Sequence, residues 1–480
     1  MNRRMVLYMV GTVVKIEAAL MVLPLIASFI YKEACSTAFL ISIAAALAVG
    51  FALTLIFKPG SKVIYAKEGF VIVSLAWLAL SAVGALPFYI SGEIPSYVDA
   101  FFETVSGFTT TGASILTDVE AMSKGLLFWR SFTHWVGGMG VLVFVMAVIP
   151  GVSDRSIHIL RAEAPGPIVG KLVPKMRQTA RILYIIYMVM TVVEIAFLLA
   201  GGMPVFDSLI HAFGTAGTGG FGVKGDSIAS YSPYLQWVIT IFMLLFGINF
   251  NLYYLVLIKK FRTAIKSEEL WAYLIIFFAS TAVITLNIMP MGGSFSENLR
   301  LAAFQVSSIV TTTGYATADF NQWPTLSKTV ILLLMFIGSC AGSTAGGFKV
   351  SRVVLLMKKI KRELQKLLHP RAVSVIRFEG KRVDEATMSS LGSYLAIYVL
   401  FYCIFVFLLG FETLDLETNI SAVAACYNNI GPALGAAGPA SNYAFYSPFS
   451  KIVLSVAMLL GRLEILPLIL TFSPSTWTKK

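Results

Sequence analysis

Phe108-Thr109-Thr110-Thr111-Gly112-Ala113-Ser114 is a polar run turning on a glycine between two long apolar segments. Three later runs share its form: Thr218-Gly219-Gly220-Phe221, Thr312-Thr313-Gly314-Tyr315 and Asn429-Ile430-Gly431-Pro432. Their glycines follow one another at intervals of 108, 94 and 117 residues. A repeat of this kind brings four backbone turns to one axis. The chemistry open to such turns is coordination of a cation in transit. An ion leaving water must exchange its hydration shell for protein oxygens, and stacked backbone carbonyls supply them without a charged side chain that would hold the ion too tightly. Inward-facing carbonyls require φ values that glycine tolerates best, and threonine hydroxyls can complete the lowest site. The candidate filter residues are therefore Thr110, Thr111 and Gly112; Thr218, Gly219 and Gly220; Thr312, Thr313 and Gly314; and Asn429, Ile430 and Gly431. One Thr-Thr-Gly is weak; four at the same place in four blocks are specific.

Such turns need elements that carry them into a membrane and out again. The chain has 480 residues, 57% hydrophobic and 13% charged, more apolar surface than a soluble core uses. Its apolar segments of roughly 20 residues or more are each long enough to cross a ~30 Å hydrocarbon layer as a helix. Met5–Ile30 and Thr37–Phe57 come before the first turn. A pattern of full span, half-length segment, glycine turn and full span then repeats four times. Its blocks are Phe70–Ile90, Asp99–Phe108, Thr109–Ser114 and Leu126–Ile149; Ile182–Ala200, Asp207–Ala216, Gly217–Gly222 and Tyr234–Ile258; Trp271–Met289, Asn298–Val310, Thr311–Ala316 and Ser327–Met357; and Ser390–Phe411, Asn419–Tyr427, Asn428–Gly435 and Pro448–Phe472. A half-length segment of about ten residues, ~15 Å, reaches only midway and must return on the side it came from. Backbone turning at that depth is tolerated only where protein buries it or a cavity lies beside it, so the four turns should share one cavity.

The expected fold is an all-α integral membrane protein of ten transmembrane helices: four pseudo-symmetric helix–pore loop–helix repeats around a central pore, plus two N-terminal helices. The divisions are residues 1–67 for those two helices, 68–150 for repeat 1, 151–181 for a basic loop, 182–262 for repeat 2, 263–362 for repeat 3, 363–388 for a second loop and 389–480 for repeat 4.

The net charge of +12 does not indicate nucleic acid, because its distribution alternates. The N-terminus, residues 58–69, 151–181, 259–270 and 349–388 and the C-terminus hold 28 of the 37 Lys and Arg, a positive-inside pattern that places both termini in the cytoplasm and agrees with an even number of spans. The loop from Ser91 to Lys124 holds Glu93, Asp99, Glu103, Asp118 and Glu120, so the opposite face is acidic. The basic run Lys358-Lys359-Ile360-Lys361-Arg362 suits solvent, lipid headgroups or a cytosolic partner. The N-terminal apolar segment holds Lys15 and Glu17 and lacks a small-residue cleavage site, so it reads as a retained helix.

One span departs from the pattern. Gly338-Ser339-Cys340-Ala341-Gly342-Ser343-Thr344-Ala345-Gly346-Gly347 is too rich in Gly, Ser and Thr for a helix interior, and the helix should break there. Arg462 falls within the last span, where an unpaired guanidinium costs several kcal/mol, so it should face the pore or a polar partner. Lys15, Glu17 and Glu194 are intramembrane charges; helix pairing accounts best for the first two. Cys35, Cys340, Cys403 and Cys426, like the four histidines, lack metal spacing. Gly217–Gly222 spells G-x-G-x-x-G, but no strand precedes it, and Phe348 stands where a phosphate-binding loop needs lysine.

These features together resemble the TrkH subunit family of bacterial Trk potassium uptake systems, in the superfamily that includes KtrB and the plant HKT transporters. The resemblance spans the whole chain and rests on residues 109–114, 217–222, 311–316, 428–435, 338–347 and the Gly461–Pro467 run GRLEILP. The two extra N-terminal helices favour TrkH over KtrB. It implies K⁺ as permeant ion, held at the twelve filter residues, and no bound organic cofactor in this chain. It implies a homodimer in the bacterial cytoplasmic membrane, served by a cytosolic nucleotide-binding ring of the TrkA type. Gly338 through Gly347 would be an intramembrane gate with Arg462 as its anchor. Gly112, where some relatives have serine, would favour potassium over sodium. A symporter coupling K⁺ or Na⁺ to H⁺ or Na⁺ is the alternative. A membrane enzyme would need clustered His, Asp, Glu, Ser or Cys in a catalytic arrangement, which the sequence lacks.

Overall fold

A computed structural model describes residues 1–60, 64–140, 176–371, 374–463 and 465–477. Most of the expected basic loop 151–181, the end of the Leu126–Ile149 span and Glu464 of the Gly461–Pro467 run lie outside these residues. Two kinked helices, α1 (Arg3–Leu20) and α2 (Val22–Ile30), form the first span, and α3 (Cys35–Ile56) returns beside it. Repeat 1 contains α4 (Ala66–Gly84), α5 (Leu86–Ile90), the half-length α6 (Tyr97–Phe108) and α7 (Lys124–Gly138). Repeat 2 contains α8 (Met176–Ala200), the half-length α9 (Val205–Gly217), α10 (Pro233–Phe246) and α11 (Phe250–Leu257), followed by a short α12 (Phe261–Ile265). Repeat 3 contains α13 (Glu268–Ile288), the half-length α14 (Phe295–Val310), α15 (Thr325–Met335) and α16 (Val350–Leu368). A hairpin of β1 (Arg377–Phe378) and β2 (Lys381–Arg382) leads to repeat 4: α17 (Glu385–Leu409), the half-length α18 (Leu416–Tyr427), α19 (Pro448–Arg462) and α20 (Ile465–Phe472).

Among the described residues six segments are long and apolar enough to cross a membrane, and two bent pairs, α10 with α11 and α19 with α20, raise this to eight. The other two expected spans take different forms. Of Leu126–Ile149 the described residues hold α7, and its end lies outside them; the other is split into α15 and α16 around non-helical Phe336–Lys349, where the Gly-Ser-Thr composition required a break.

The 88° bend between α10 and α11 breaks the expected Tyr234–Ile258 span at Gly247–Asn249, where Asn249 Oδ1 caps α11 by accepting from the Asn251 amide at 3.0 Å. Tertiary bonds hold the bend. The freed Gly247 carbonyl accepts from the Cys340 amide at 3.2 Å, and the Phe250 amide donates to Gly342 O at 3.0 Å. The bend in repeat 2 thus supplies the backbone partners that the broken span of repeat 3 lacks.

All four half-length helices carry an acid in the first turn: Asp99, Asp207, Glu297 and Glu417. Negative charge there complements the helix dipole and leaves the negative C-terminal ends pointing into the protein. α1 and α3 cross closely because Gly11 and Gly50 meet: a Cβ on either would lie 3.0 Å from the other's carbonyl oxygen. The Lys15 stem covers Gly50, and its Nζ donates to Thr54 Oγ1 at 3.1 Å, a pairing between helices of the kind expected for this charge. Gly50→Leu should separate α1 from α3 at an overpacking cost of ~1–3 kcal/mol. The check is the thermal midpoint of the purified protein in detergent, expected to fall by several degrees relative to wild type.

Candidate functional site

The four half-length helices end in one backbone motif. The amides of Thr110, Thr218, Thr312 and Asn429 donate to Gly107, Thr215, Ile309 and Cys426 at 3.1, 3.0, 3.0 and 3.2 Å. The next amides, of Thr111, Gly219, Thr313 and Ile430, donate to Ser106, Gly214, Ser308 and Ala425, each at 2.8 Å. These two bonds define a Schellman cap, whose pivot residue is left-handed. The pivots are left-handed here too, with φ of 56°, 55°, 57° and 56° at Thr110, Thr218, Thr312 and Asn429. Three are threonine, a β-branched residue for which this conformation is an outlier. Two residues on, Gly112, Gly220, Gly314 and Gly431 have φ of 78°, 80°, 85° and 95°. The caps turn the amides back onto the helices, leaving the carbonyls of the turn free to face elsewhere.

The turns close into a ring. A Cβ on Gly112 would strike Gly219 O, one on Gly220 would strike Thr313 O, one on Gly314 would strike Ile430 O, and one on Gly431 would lie 2.7 Å from Thr111 O. Each glycine is thus packed on the carbonyl of the next repeat, and the fourth on the first. One cavity is lined by all four glycines, together with Arg130, Lys224 and Tyr443.

Side chains distinguish the repeats. Thr111 and Thr313 hydroxyls bond to Thr109 and Thr311 at 2.8 Å in each case, and Asn429 Nδ2 donates to Thr111 Oγ1 at 3.0 Å and Met458 O at 2.9 Å. Thr218 Oγ1 donates to Gly217 O at 2.6 Å. Thr110 Oγ1 is buried without a partner among the described residues.

Gly338–Gly347 lies against one end of this ring. The Gly346 amide donates to Thr312 Oγ1 at 2.7 Å, and a Cβ on Gly346 would meet Asn428 O at 2.8 Å. Glu269 Oε1 accepts from the Ala341 and Ser351 amides at 2.7 and 3.2 Å, and Ser339 Oγ and Ser343 Oγ pair at 3.0 Å. Lys349 Nζ bonds to Ala345 O. Arg462, at the C-terminal residue of α19, donates to Thr344 O at 2.7 Å and to Gly137 O and Gly138 O at 2.6 Å each. The guanidinium therefore joins the loop to the open carbonyl end of α7, a natural site for a cation.

The opposite end holds contacts that sequence reading missed. Glu103, counted there among loop charges, is buried on α6 and pairs at 2.6 Å with Arg130, buried on α7. Glu103 also accepts from Ser114 Oγ and the Ile115 amide, each at 2.9 Å, while Arg130 Nη1 donates to Gly222 O at 3.3 Å. Tyr443 ties two turns together, its hydroxyl to Gly431 O at 2.6 Å and its amide to Ser114 O at 2.7 Å. Lys451 is likewise buried on α19 and pairs with Asp99 at 2.7 Å. One signal was available: Glu103 stands nine residues before its glycine, and His211 and Gln305 hold the same offset in the next two repeats.

Helices that end midway, turns that return and a shared cavity define a multi-pass membrane transporter built of four pore-loop repeats around a central pore. The comparisons name the family. The cation transport protein family TrkH matches residues 35–479, and the chain belongs to it. It is 34% identical over 483 residues to the Trk system potassium uptake protein TrkG of Escherichia coli (strain K12), covering 99% of this chain and 98% of that one. It is 34% identical over 484 residues to the TrkH protein of the same system in Salmonella typhimurium, covering 99% and 100%. The crystal structure of the potassium transporter TrkH from Vibrio parahaemolyticus superposes with a TM-score of 0.90 at 31% identity, covering 100% of both chains. The relatives are transporters and not enzymes.

Gly314→Ala adds a methyl against Ile430 O at a left-handed φ of 85°. Cation flux through the reconstituted protein should fall at least about tenfold, the effect of ~1.4 kcal/mol or more on the conducting ring. The measurement is rubidium uptake into proteoliposomes, alongside a gel-filtration profile like that of wild type.

Proposed function

We propose that this chain carries potassium into the cell, with the four turns as its selectivity filter. The supporting observation is the closed ring of four Schellman-capped turns, each behind a helix whose negative end faces the cavity. Carbonyls freed from internal bonding replace water around K⁺, and no carboxylate sits in the ring to trap it. The relatives' names, potassium uptake proteins of the Trk system, point to the same ion and to a multi-component assembly.

The gate is Gly338 through Gly347, anchored by Arg462. Its contacts with Thr312 and Asn429 support a position below the filter, and its non-helical backbone can rearrange without unfolding a helix. The partner is a nucleotide-binding ring of the TrkA type on the cytoplasmic side, where both termini lie, and the chain works as a homodimer in the inner membrane. The hairpin offers a connection to the loop: Glu379 Oε1 accepts from Ser267 Oγ at 2.9 Å and the Glu269 amide at 3.1 Å, while the Glu269 carboxylate holds the loop.

Reconstituted chain should pass K⁺ and Rb⁺ well ahead of Na⁺, following the imposed membrane potential; equal K⁺ and Na⁺ flux would remove the potassium reading. Deleting Ser339–Gly346 should raise K⁺ flux several-fold, and unchanged flux in a well-folded variant would sink the gate assignment. Arg462→Ala frees Thr344, losing a charged hydrogen bond of ~1.5–3 kcal/mol. It should raise flux in the absence of the partner, as read by the same liposome assay.

A further inference from the structure

Three of the four turns carry a side chain just before the filter glycine: Thr111, Thr313 and Ile430, all fully buried. The second has Gly219, and its conformation does not explain the choice, because Gly219 is absent from the residues with positive φ. A neighbour does explain it. A Cβ on Gly219 would fall within the ring of His134, overlapping Nδ1, Cε1 and Cγ.

His134 is wholly buried, and among the described residues neither ring nitrogen has a hydrogen-bond partner. Packing alone sets the ring. It meets Phe221, the residue after the second filter glycine, with ring centroids 4.2 Å apart at 60°. The Arg130 guanidinium carbon also meets Phe221, 3.5 Å from its ring centroid. Arg130 and His134 are four residues apart on α7 and so share a face. Arg130 is fixed in turn by Glu103 and reaches Gly222 O. One helix of repeat 1 therefore grips repeat 2's turn at positions 219, 221 and 222.

The geometry points to His134 as a positioning residue for ion selectivity. From the neighbouring repeat it fills the volume that Thr111, Thr313 and Ile430 fill from within their own turns, and so fixes the second turn at the spacing of the other three. This rests on the reading of the ring as a potassium filter. Removing the imidazole leaves a void beside a turn that has no side chain of its own at position 219, where backbone can relax toward the smaller sodium ion.

The test uses the full-length reconstituted chain as wild type, His134→Ala, Gly219→Ala and the double variant, each confirmed monodisperse, with K⁺ and Na⁺ flux measured in the same vesicles. His134→Ala should keep K⁺ flux while the K⁺/Na⁺ ratio falls about tenfold, ~1.4 kcal/mol of discrimination. Gly219→Ala should lose flux, since the methyl and the imidazole claim one space. The double variant should regain flux and a ratio within about threefold of wild type, because the new methyl occupies the vacated volume, a coupling that independent sites do not show. A wild-type ratio in His134→Ala, normal flux in Gly219→Ala, or no recovery in the double variant would each overturn this role while the potassium reading stands. A wild type that passes no K⁺ would overturn both.

Discussion

Four helices end inside the membrane, and the amides just beyond those ends must find partners without water. Each end answers with the same pair of bonds back to its own helix. The answer fixes more than satisfaction. It forces a left-handed pivot, points the following amides away from the axis and leaves the carbonyls from pivot to glycine without a backbone donor among the described residues. The strain at the three threonine pivots, of order 1 kcal/mol or more each, persists because the neighbouring turns over-determine the backbone. In a ring where every glycine lies on the next repeat's carbonyl, a shift of one turn is felt by its neighbours.

Pseudo-symmetry holds for this backbone and fails for the side chains around it. At nine residues before the glycine stand Glu103, His211, Gln305 and Ala422, and only Glu103 is paired with a buried cation from α7. The hydroxyl pairs Thr109–Thr111 and Thr311–Thr313 occur in repeats 1 and 3, which face each other across the axis. Among the described residues the second span of repeat 3 is broken over residues 336–349, and the bend in repeat 2 receives it. The backbone geometry is what the shared ion demands; the departures are where one repeat can be braced or released separately from the others.

Much of this was legible in the sequence because it was written in local residue types. The four turns, the half-length helices and the break at Gly338–Gly347 follow from composition and length. The family resemblance drawn from those motifs agrees with the comparisons. The bend before Phe250 was legible only in part: Gly247 and Asn249 stand at it, but isolated Gly and Asn in an apolar segment do not say that the chain turns, and bonding to Cys340 and Gly342 fixes the direction. The bend after Arg462 is of the same kind, with Gly461 and Arg462 inside the Pro448–Phe472 segment as its local signal. Glu103 was misread as a loop charge, and its partner Arg130 went unnoticed, because charge near a span's end looks the same whether it faces water or a buried partner. His134 carried no signal at all: a lone histidine on an apolar helix identifies itself only beside a glycine that needs it.

The loop beside the ring is held at several points, and their sizes bear on what the proposed opening by a partner would require. Neutral backbone bonds such as Cys340 to Gly247 contribute ~0.5–1.5 kcal/mol net, and bonds to a charged group ~1.5–3 kcal/mol. Glu269 makes two such charged bonds to this region, and Arg462 makes one to Thr344. Taking a two-state loop from closed to open at 99% needs ~5.5 kcal/mol of differential binding. Releasing Glu269 alone covers much of that difference, and Glu269 is the residue whose amide is capped by Glu379 of the hairpin. A partner engaging the hairpin would act on the loop through one carboxylate, leaving Arg462 on the carbonyls of α7 to guide the loop back.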